Sequence, residues 1–308
     1  MAATRTSWIA TARNLLEVFY AAQKPTTRRA YEADIAAFRR FIGADSAAVA
    51  VADLIRSGQG AALEQATLYK AALGNTVAPA TVNRRLAALR SLTRTARNLQ
   101  KITWRLRIPP LRVIRQRDTA GPGRQAVHDM IAIAEATGGM KGPRDAAMIW
   151  LFYGLALRRG EVQQLNRQDV HLERRPPAID VLGKGQYQRR RMTLPERVVE
   201  AVATWAVVRG DHDGPLFTTL SRAHDNARRL SAGSIVRIVK ALGRAAGVET
   251  SPHGLRHTAI TETIRAPGSN MGDVQGFSRH ARIETLQAYY DRDADAAVEL
   301  ATRITEDL

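Results

Sequence analysis

Cysteine is missing from the chain, which removes disulfides, thiolate metal ligands and a cysteine nucleophile at once and leaves stability to packing. Lysine is scarce, with six residues against a total of 46 Lys and Arg. No run of 18 or more apolar residues occurs. The opening segment MAATRTSWIATARNLLEVFY has neither a signal-peptide core nor a small-residue cleavage pattern. Neither membrane spanning nor export is therefore expected, and the expected location is the cytoplasm. Acidic residues are also under-represented: 29 Asp and Glu leave a net charge of +17 on 308 residues, with a pI near 11.1. A polyanionic partner is the plainest physical reason to carry such an excess, nucleic acid before an anionic membrane. An Arg- and Ala-rich composition can also reflect base composition alone. The uneven split argues against that, because residues 1–118 carry +13 and the remainder only +4.

What is present is enough apolar sequence, 45%, to bury a core in each of two domains. Residues 26–42 place Tyr31, Ile35, Phe38 and Ile42 at helical spacing. In APATVNRRLAALRSLTRTARNLQ, Val82, Leu86, Leu89 and Ala96 form a core stripe, while Arg90, Arg94 and Arg97 make a basic ridge opposite. Helices are also expected over 7–22 and 61–73, and no alternating strand before residue 110. The first part therefore reads as an all-helical domain over 1–110, followed by a basic Pro- and Gly-containing linker over 111–123. Helices are expected over 124–137 and 143–157, then a β-hairpin pairing Ile179–Leu182 with Arg191–Leu194, then helices from about 196 to the end. No internal repeat or low-complexity tract interrupts the chain.

The chemistry concentrates in the second half. Ser251 and Pro252 precede HGLRHT as an N-cap and an N1 proline precede a helix, which puts His253 and Arg256 three apart in the first turn. Free N–H groups, the positive helix end and a guanidinium fork would face one anion there. His257 reads as a structural or capping histidine. GLALRRGEVQQL offers Arg158, with Glu161 one turn on to hold its guanidinium; LGKGQYQRRR offers Lys184 at a hairpin tip; SRHARIETLQAYY offers His280 and Tyr289. A phenol can attack a phosphodiester where cations neutralise the phosphate and a neighbour takes its proton. Arg84, Arg85, Arg90, Arg94 and Arg97 are candidates to meet duplex DNA, mostly at phosphates. The alternative for Arg84 and Arg85 is pairing within their own domain.

Together these segments resemble the tyrosine recombinase, or phage integrase, family. Its hallmarks are an arginine followed three residues on by an acid, a hairpin lysine, an HxLRH box, and a histidine nine residues before the tyrosine; all four stand here in order. The resemblance implies a mainly α protein with a small antiparallel β-sheet. It would comprise an N-terminal all-α core-binding (SAM-like) domain and a mixed α/β catalytic domain over 124–308. It implies Tyr289 as nucleophile, in preference to Tyr290 because of the nine-residue interval, with a 3′-phosphotyrosine intermediate. His253 would be the general base, Arg158 and Arg256 the phosphate clamp, Glu161 the support of Arg158, Lys184 the general acid, and His280 a hydrogen-bond partner of the phosphate. No metal or other cofactor is implied. The implied partners are double-stranded DNA with paired recognition sites and other copies of the chain. Those copies would form a tetramer on DNA through the tail bearing Ala297, Leu300, Ala301 and Ile304, whose alternative is packing on its own domain, and would exchange strands through a four-way junction. Departures from the pattern are Arg159 and Gly160 where Ile or Ser types are usual, and FSRH in place of LGH. Arg279 is thereby expected to add a cation near the phosphate. Two rival readings are a type IB topoisomerase, which needs no docking tail, and a non-catalytic DNA-binding regulator, against which all six candidate residues are present.

Overall fold

The computed structural model describes residues 4–112, 121–183, 186–220, 228–280, 283 and 286. The chain divides into two compact units, Met1–Gln116 and Arg117–Leu308. The first is helical: α1 (Arg5–Ala21), α2 (Pro25–Phe41), α3 (Ala47–Arg56), α4 (Gly58–Gly74) and α5 (Pro79–Asn98). Local sequence sets the starts. Thr4 accepts a hydrogen bond from the Ser7 N–H at 3.3 Å, Ser46 from the Val49 N–H at 3.2 Å, and Pro25 and Pro79 occupy the first helical positions of α2 and α5. The stripe on α5 is buried along its length, at Val82, Leu86, Leu89, Leu92 and Ala96. Ile35 and Phe38 of α2 pack on it together with Phe19 and Tyr69, and Phe38 meets Tyr69 edge-on at 5.3 Å. Helix α3 was not expected from the sequence.

After α5 the chain runs extended with alternating burial: Ile102, Leu106 and Ile108 enter the core, while Arg105 and Arg107 stay exposed. Side chains rather than a neighbouring strand satisfy part of this backbone. Lys70 donates to the Pro109 carbonyl at 2.8 Å and Arg90 to that of Ile108 at 3.0 Å. The Asn83 amide both donates to the Leu111 carbonyl and accepts from its N–H, at 2.8 and 2.7 Å.

The second unit is built on α7 (Lys141–Gly154), buried from Arg144 to Leu151 but for Trp150, which packs against α6 (Arg124–Glu135), α9 (Glu196–Arg209) and α11 (Pro252–Arg265). Its antiparallel sheet has the order β1 (Val170–His171), β2 (Ala178–Leu182), β3 (Arg189–Thr193), with Ile179 opposite Met192 and Leu182 opposite Arg189. Ile179 and Val181 point into the core, whereas Arg189, Arg190 and Arg191 are exposed. The mainly helical reading with a small antiparallel sheet holds; β1 is an addition, and β3 begins two residues earlier than expected.

The expected run of helix from 196 is interrupted between α9 and α10 (Ala232–Ala245). Two buried or half-buried arginines take over the backbone bonding there. Arg209 donates to the carbonyls of Gly210, His212 and Pro215. Arg229 donates to those of Gln163 and Leu165, at 2.7 and 2.9 Å, and so fixes the end of the short helix α8 (Arg159–Gln164). Gly121, at φ +75°, crosses α11 so closely that a Cβ would collide with the Thr258 hydroxyl and the Gly254 carbonyl. The last helix among the described residues is α12 (Met271–Ser278).

Candidate active site

Helix α11 starts as its sequence dictates: Ser251 accepts from the Gly254 N–H at 3.3 Å and Pro252 takes the first position. His253 is consequently exposed at the helix entrance, and Arg256, one turn in, is 1% exposed. The His253 ring stands edge-on to that of buried His257, with centroids 4.2 Å apart. Arg256 donates to the carbonyls of Ala156 and Ser278, and its Nη2 lies 3.4 Å from Nε2 of His280. Ala156 itself is held at φ +45°, a conformation costly for a residue with a Cβ, directly after the end of α7.

Arg158 caps α8. Its N–H donates to Oε2 of Glu161 at 2.8 Å, so the carboxylate occupies the third helical position and satisfies a donor the helix leaves open. The Arg158 guanidinium donates to Oε1 of Glu161 at 2.9 Å and to the carbonyl of Arg279 at 3.0 Å. The structure therefore brings Arg158, Glu161, Arg256 and His280 together from α8, α11 and the end of α12. Arg158, Glu161 and His280 border a cleft of about 610 Å³ whose other walls include Gln186, Arg190, Met192, Gln275 and Arg279, while Arg256 is buried beside His280. Arg190 is a site cation that the sequence reading did not single out. Its signal was present in the RRR run of β3, where alternation sends one arginine of three toward the cleft.

Lys184 and Tyr289 lie outside the described residues, as do the tail positions Ala297, Leu300, Ala301 and Ile304. Gly183, immediately before Lys184, lines the cleft. Leu286, three positions before Tyr289 in sequence, is fully buried in a small cluster with Ala156, Ala259, Ile260 and Val274.

Arg279 lines the cleft beside Arg158 and His280, yet its guanidinium is engaged by the protein. At φ +55° it ends α12 in the left-handed region, and its side chain turns inward. Nη1 donates to the Leu155 and Phe277 carbonyls at 2.9 and 3.2 Å, and Nη2 to the Ala156 carbonyl at 2.9 Å and Glu161 Oε2 at 3.1 Å. Burial would push the Glu161 carboxyl up, but the Arg158 N–H and the guanidinium groups of Arg279 and Arg158 outweigh it and hold the group below its usual range.

His280 is pushed down to about 4, first by burial and then by Arg256, Arg158, His253 and Arg279. It is therefore neutral at pH 7. The unfolded chain, with an ordinary histidine pKa near 6.5, takes this proton before the folded one does. The contribution of His280 is thus complete above about pH 6.5 and is lost as pH falls toward about 4. Thermal midpoints measured across that window should fall more steeply for the native chain than for His280→Gln; parallel curves would refute the depressed value.

In the first unit the candidate arginines divide. Arg84 is ion-paired at 2.5 Å with Asp34, whose side chain is 1% exposed, and Arg85 lies beside the buried Tyr69 hydroxyl, so both engage their own unit. Arg90, Arg94 and Arg97 line a cleft of about 340 Å³ together with Arg105 and Arg107. The last two were missed because their alternation with Leu106 and Ile108 is too short to mark a strand. Among the described residues no group of three or more His, Asp or Glu could hold a metal ion, and no helix is long and apolar enough to cross a membrane.

The phage integrase family model matches residues 124–296. A tyrosine recombinase of Synechococcus elongatus is 36% identical over 281 residues, which cover 89% of this chain and 87% of that protein. One from Synechocystis is 32% identical over 287 residues, covering 91% and 90%. Among solved structures, the Tn1549 transposon integrase in complex with transposon right end DNA superposes with a TM-score of 0.67 at 17% identity, covering 94% of this chain and 99% of that one. A lambda integrase dimer bound to a core site gives 0.64 at 16% identity, covering 94% and 96%; both share the fold. With the family model matching more than half of the chain and relatives matched nearly end to end, the chain belongs to the phage integrase family, the tyrosine recombinases.

Proposed function

We propose that this tyrosine-type site-specific DNA recombinase works through the cleft bordered by Arg158 and His280, with Tyr289 as the attacking group. The observation that carries this reading is the meeting of Arg158, Arg256 and His280 at one place, although 122 positions separate the first from the last in sequence. The Tyr289 phenol oxygen attacks the scissile phosphorus. The bond to the 5′-oxygen breaks, and a 3′-phosphotyrosine and a free 5′-hydroxyl result. A second 5′-hydroxyl then attacks the phosphotyrosine and releases the phenol, so no external energy source is needed.

A phenol with a pKa near 10 needs its proton taken at pH 7, and His253, at the exposed entrance of α11, is the base that takes it. Negative charge grows on the non-bridging oxygens as the phosphorus becomes five-coordinate. Arg158 meets that charge at the cleft, Arg256 supports it from the wall behind, and neutral His280 adds an N–H. Glu161 fixes Arg158. Lys184, next to the cleft-lining Gly183, protonates the departing 5′-oxygen; a compact ammonium on a flexible stem suits that role.

Double-stranded DNA is the partner. In the first unit, the cleft of Arg90, Arg94, Arg97, Arg105 and Arg107 offers guanidinium groups on two sides to backbone phosphates. The paired Arg84 holds Asp34 instead. Two copies on paired sites exchange strands through a four-way junction, and the apolar face Ala297, Leu300, Ala301, Ile304 links protomers into a tetramer.

The test is to incubate the full chain with DNA of its own genome, quench with detergent and sequence the DNA that stays covalently attached. Adducts confined to a few loci of paired, inverted sequence are expected, with no relaxation of a plasmid that lacks them. Adducts spread without sequence preference, together with relaxation of such a plasmid, would instead establish a type IB topoisomerase. Absence of any adduct would reduce the chain to a DNA-binding scaffold.

A further inference from the structure

We infer that Arg279 is a positioning residue that aims Arg158 and restores its effective charge; this rests on the proposed meeting of Arg158 with the scissile phosphate. Arg279 reaches the wall of the cleft, but its guanidinium is spent on the protein. Its side chain is 10% exposed, and its two Nη groups are committed to the carbonyls of Leu155, Phe277 and Ala156 and to Glu161. The Nε atom is buried as well.

Both fixed contacts of the Arg158 guanidinium depend on Arg279. One is the Arg279 carbonyl itself, presented by the left-handed turn at the end of α12. The other is Glu161, whose second oxygen is held by Arg279 and by the Arg158 N–H. Charge points the same way. Glu161 alone would cancel Arg158 and leave a neutral pair facing the phosphate; with Arg279 included, the trio carries one net positive charge. Arg279 also shares the Ala156 carbonyl with Arg256, so a single buried guanidinium joins the supports of both clamp arginines.

The experiment uses a nicked suicide duplex carrying the locus mapped with the unsubstituted chain. Arg279→Gly accepts the left-handed backbone and removes only the side chain. It should slow single-turnover cleavage about a hundredfold, the size of effect expected when a reacting group shifts by about 1 Å, with duplex affinity held within about threefold. Arg279→Lys, which keeps the charge but loses the fork, should recover part of the rate.

Two readouts separate aiming from general structural damage. Arg158→Ala combined with Arg279→Gly should cleave no more slowly than Arg158→Ala alone. A methylphosphonate at the scissile position, with one negative charge fewer to neutralise, should shrink the Arg279→Gly defect to less than about tenfold. Multiplying defects in the double variant, or an undiminished defect on the methylphosphonate, would overturn the inference. So would full activity of a folded Arg279→Gly. If Arg279→Gly does not fold, Arg279→Lys carries the same cycle. Failure of the unsubstituted chain to form any adduct would sink the proposed function itself, which is a separate result.

Discussion

Tyr289→Phe should leave no covalent protein–DNA adduct on a cognate suicide duplex, while duplex binding stays within about twofold of the native chain, because phosphate contacts by arginine dominate affinity. The substitution removes one oxygen and nothing else of consequence to packing. No other atom of that ring can bond to phosphorus, so the loss is complete rather than graded. Tyr290→Phe is the matched control and should retain adduct formation. The two neighbours are separated only by the interval of nine from His280, and neither lies within the described residues. Leu286, three positions before Tyr289 in sequence, is fully buried against Ala156, Ile260 and Val274, and the Ala156 carbonyl is the one shared by Arg256 and Arg279. Gel separation of denatured, end-labelled DNA reads the outcome directly. Adducts that survive Tyr289→Phe but vanish with Tyr290→Phe would move the nucleophile by one residue; adducts that survive both would remove the phenol from the reaction.

The parts of the fold legible in the sequence are those fixed by local chemistry. The Ser251–Pro252 start of α11 and the α5 stripe from Val82 to Ala96 follow from capping and helical period, which a linear sequence displays fully. The hairpin was readable to within two residues at β3, since alternation and turn residues are equally local. Missed elements owe their shape to distant partners. Residues 102–108 are extended because Ile102, Leu106 and Ile108 fill the core beside α5, and because Lys70, Asn83 and Arg90 supply bonds to the segment that follows. The stretch between α9 and α10 is held by Arg209 and Arg229, whose side chains replace the bonds a helix would make.

At the site, chain order named Arg158, Glu161, Arg256 and His280, but it could not give direction to a side chain. Arg279 was expected beside the phosphate as an extra cation. It does reach the cleft wall, but its left-handed backbone turns its guanidinium onto carbonyls and a carboxylate 118 to 124 positions away. Arg84 similarly spends its charge on Asp34, 50 positions earlier, a pairing no spacing rule discloses.

Arg256 should prove the costliest of the cations to lose, because it serves the fold and the reaction together. At 1% exposure it donates to the Ala156 and Ser278 carbonyls, the two backbone points that set where α7 ends and where α12 turns toward His280. Arg256→Met keeps the volume and removes every donor, leaving the Ser278 carbonyl without this partner at about 1–3 kcal/mol, while the Ala156 carbonyl keeps Arg279. A lower denaturation midpoint is therefore expected alongside cleavage reduced about 10³-fold or more, the range seen when a preorganised cation facing a developing oxyanion is lost. Arg256→Lys separates the two effects. Its ammonium keeps the charge and can reach one carbonyl, so much of the stability should return, yet a point charge cannot hold both carbonyls and face the phosphate at once. The lysine variant should accordingly melt close to the native chain and still cleave at least about a hundredfold more slowly. Near-native cleavage by Arg256→Lys would show that charge alone suffices at this position, and that the two carbonyl bonds do not set the geometry of the clamp.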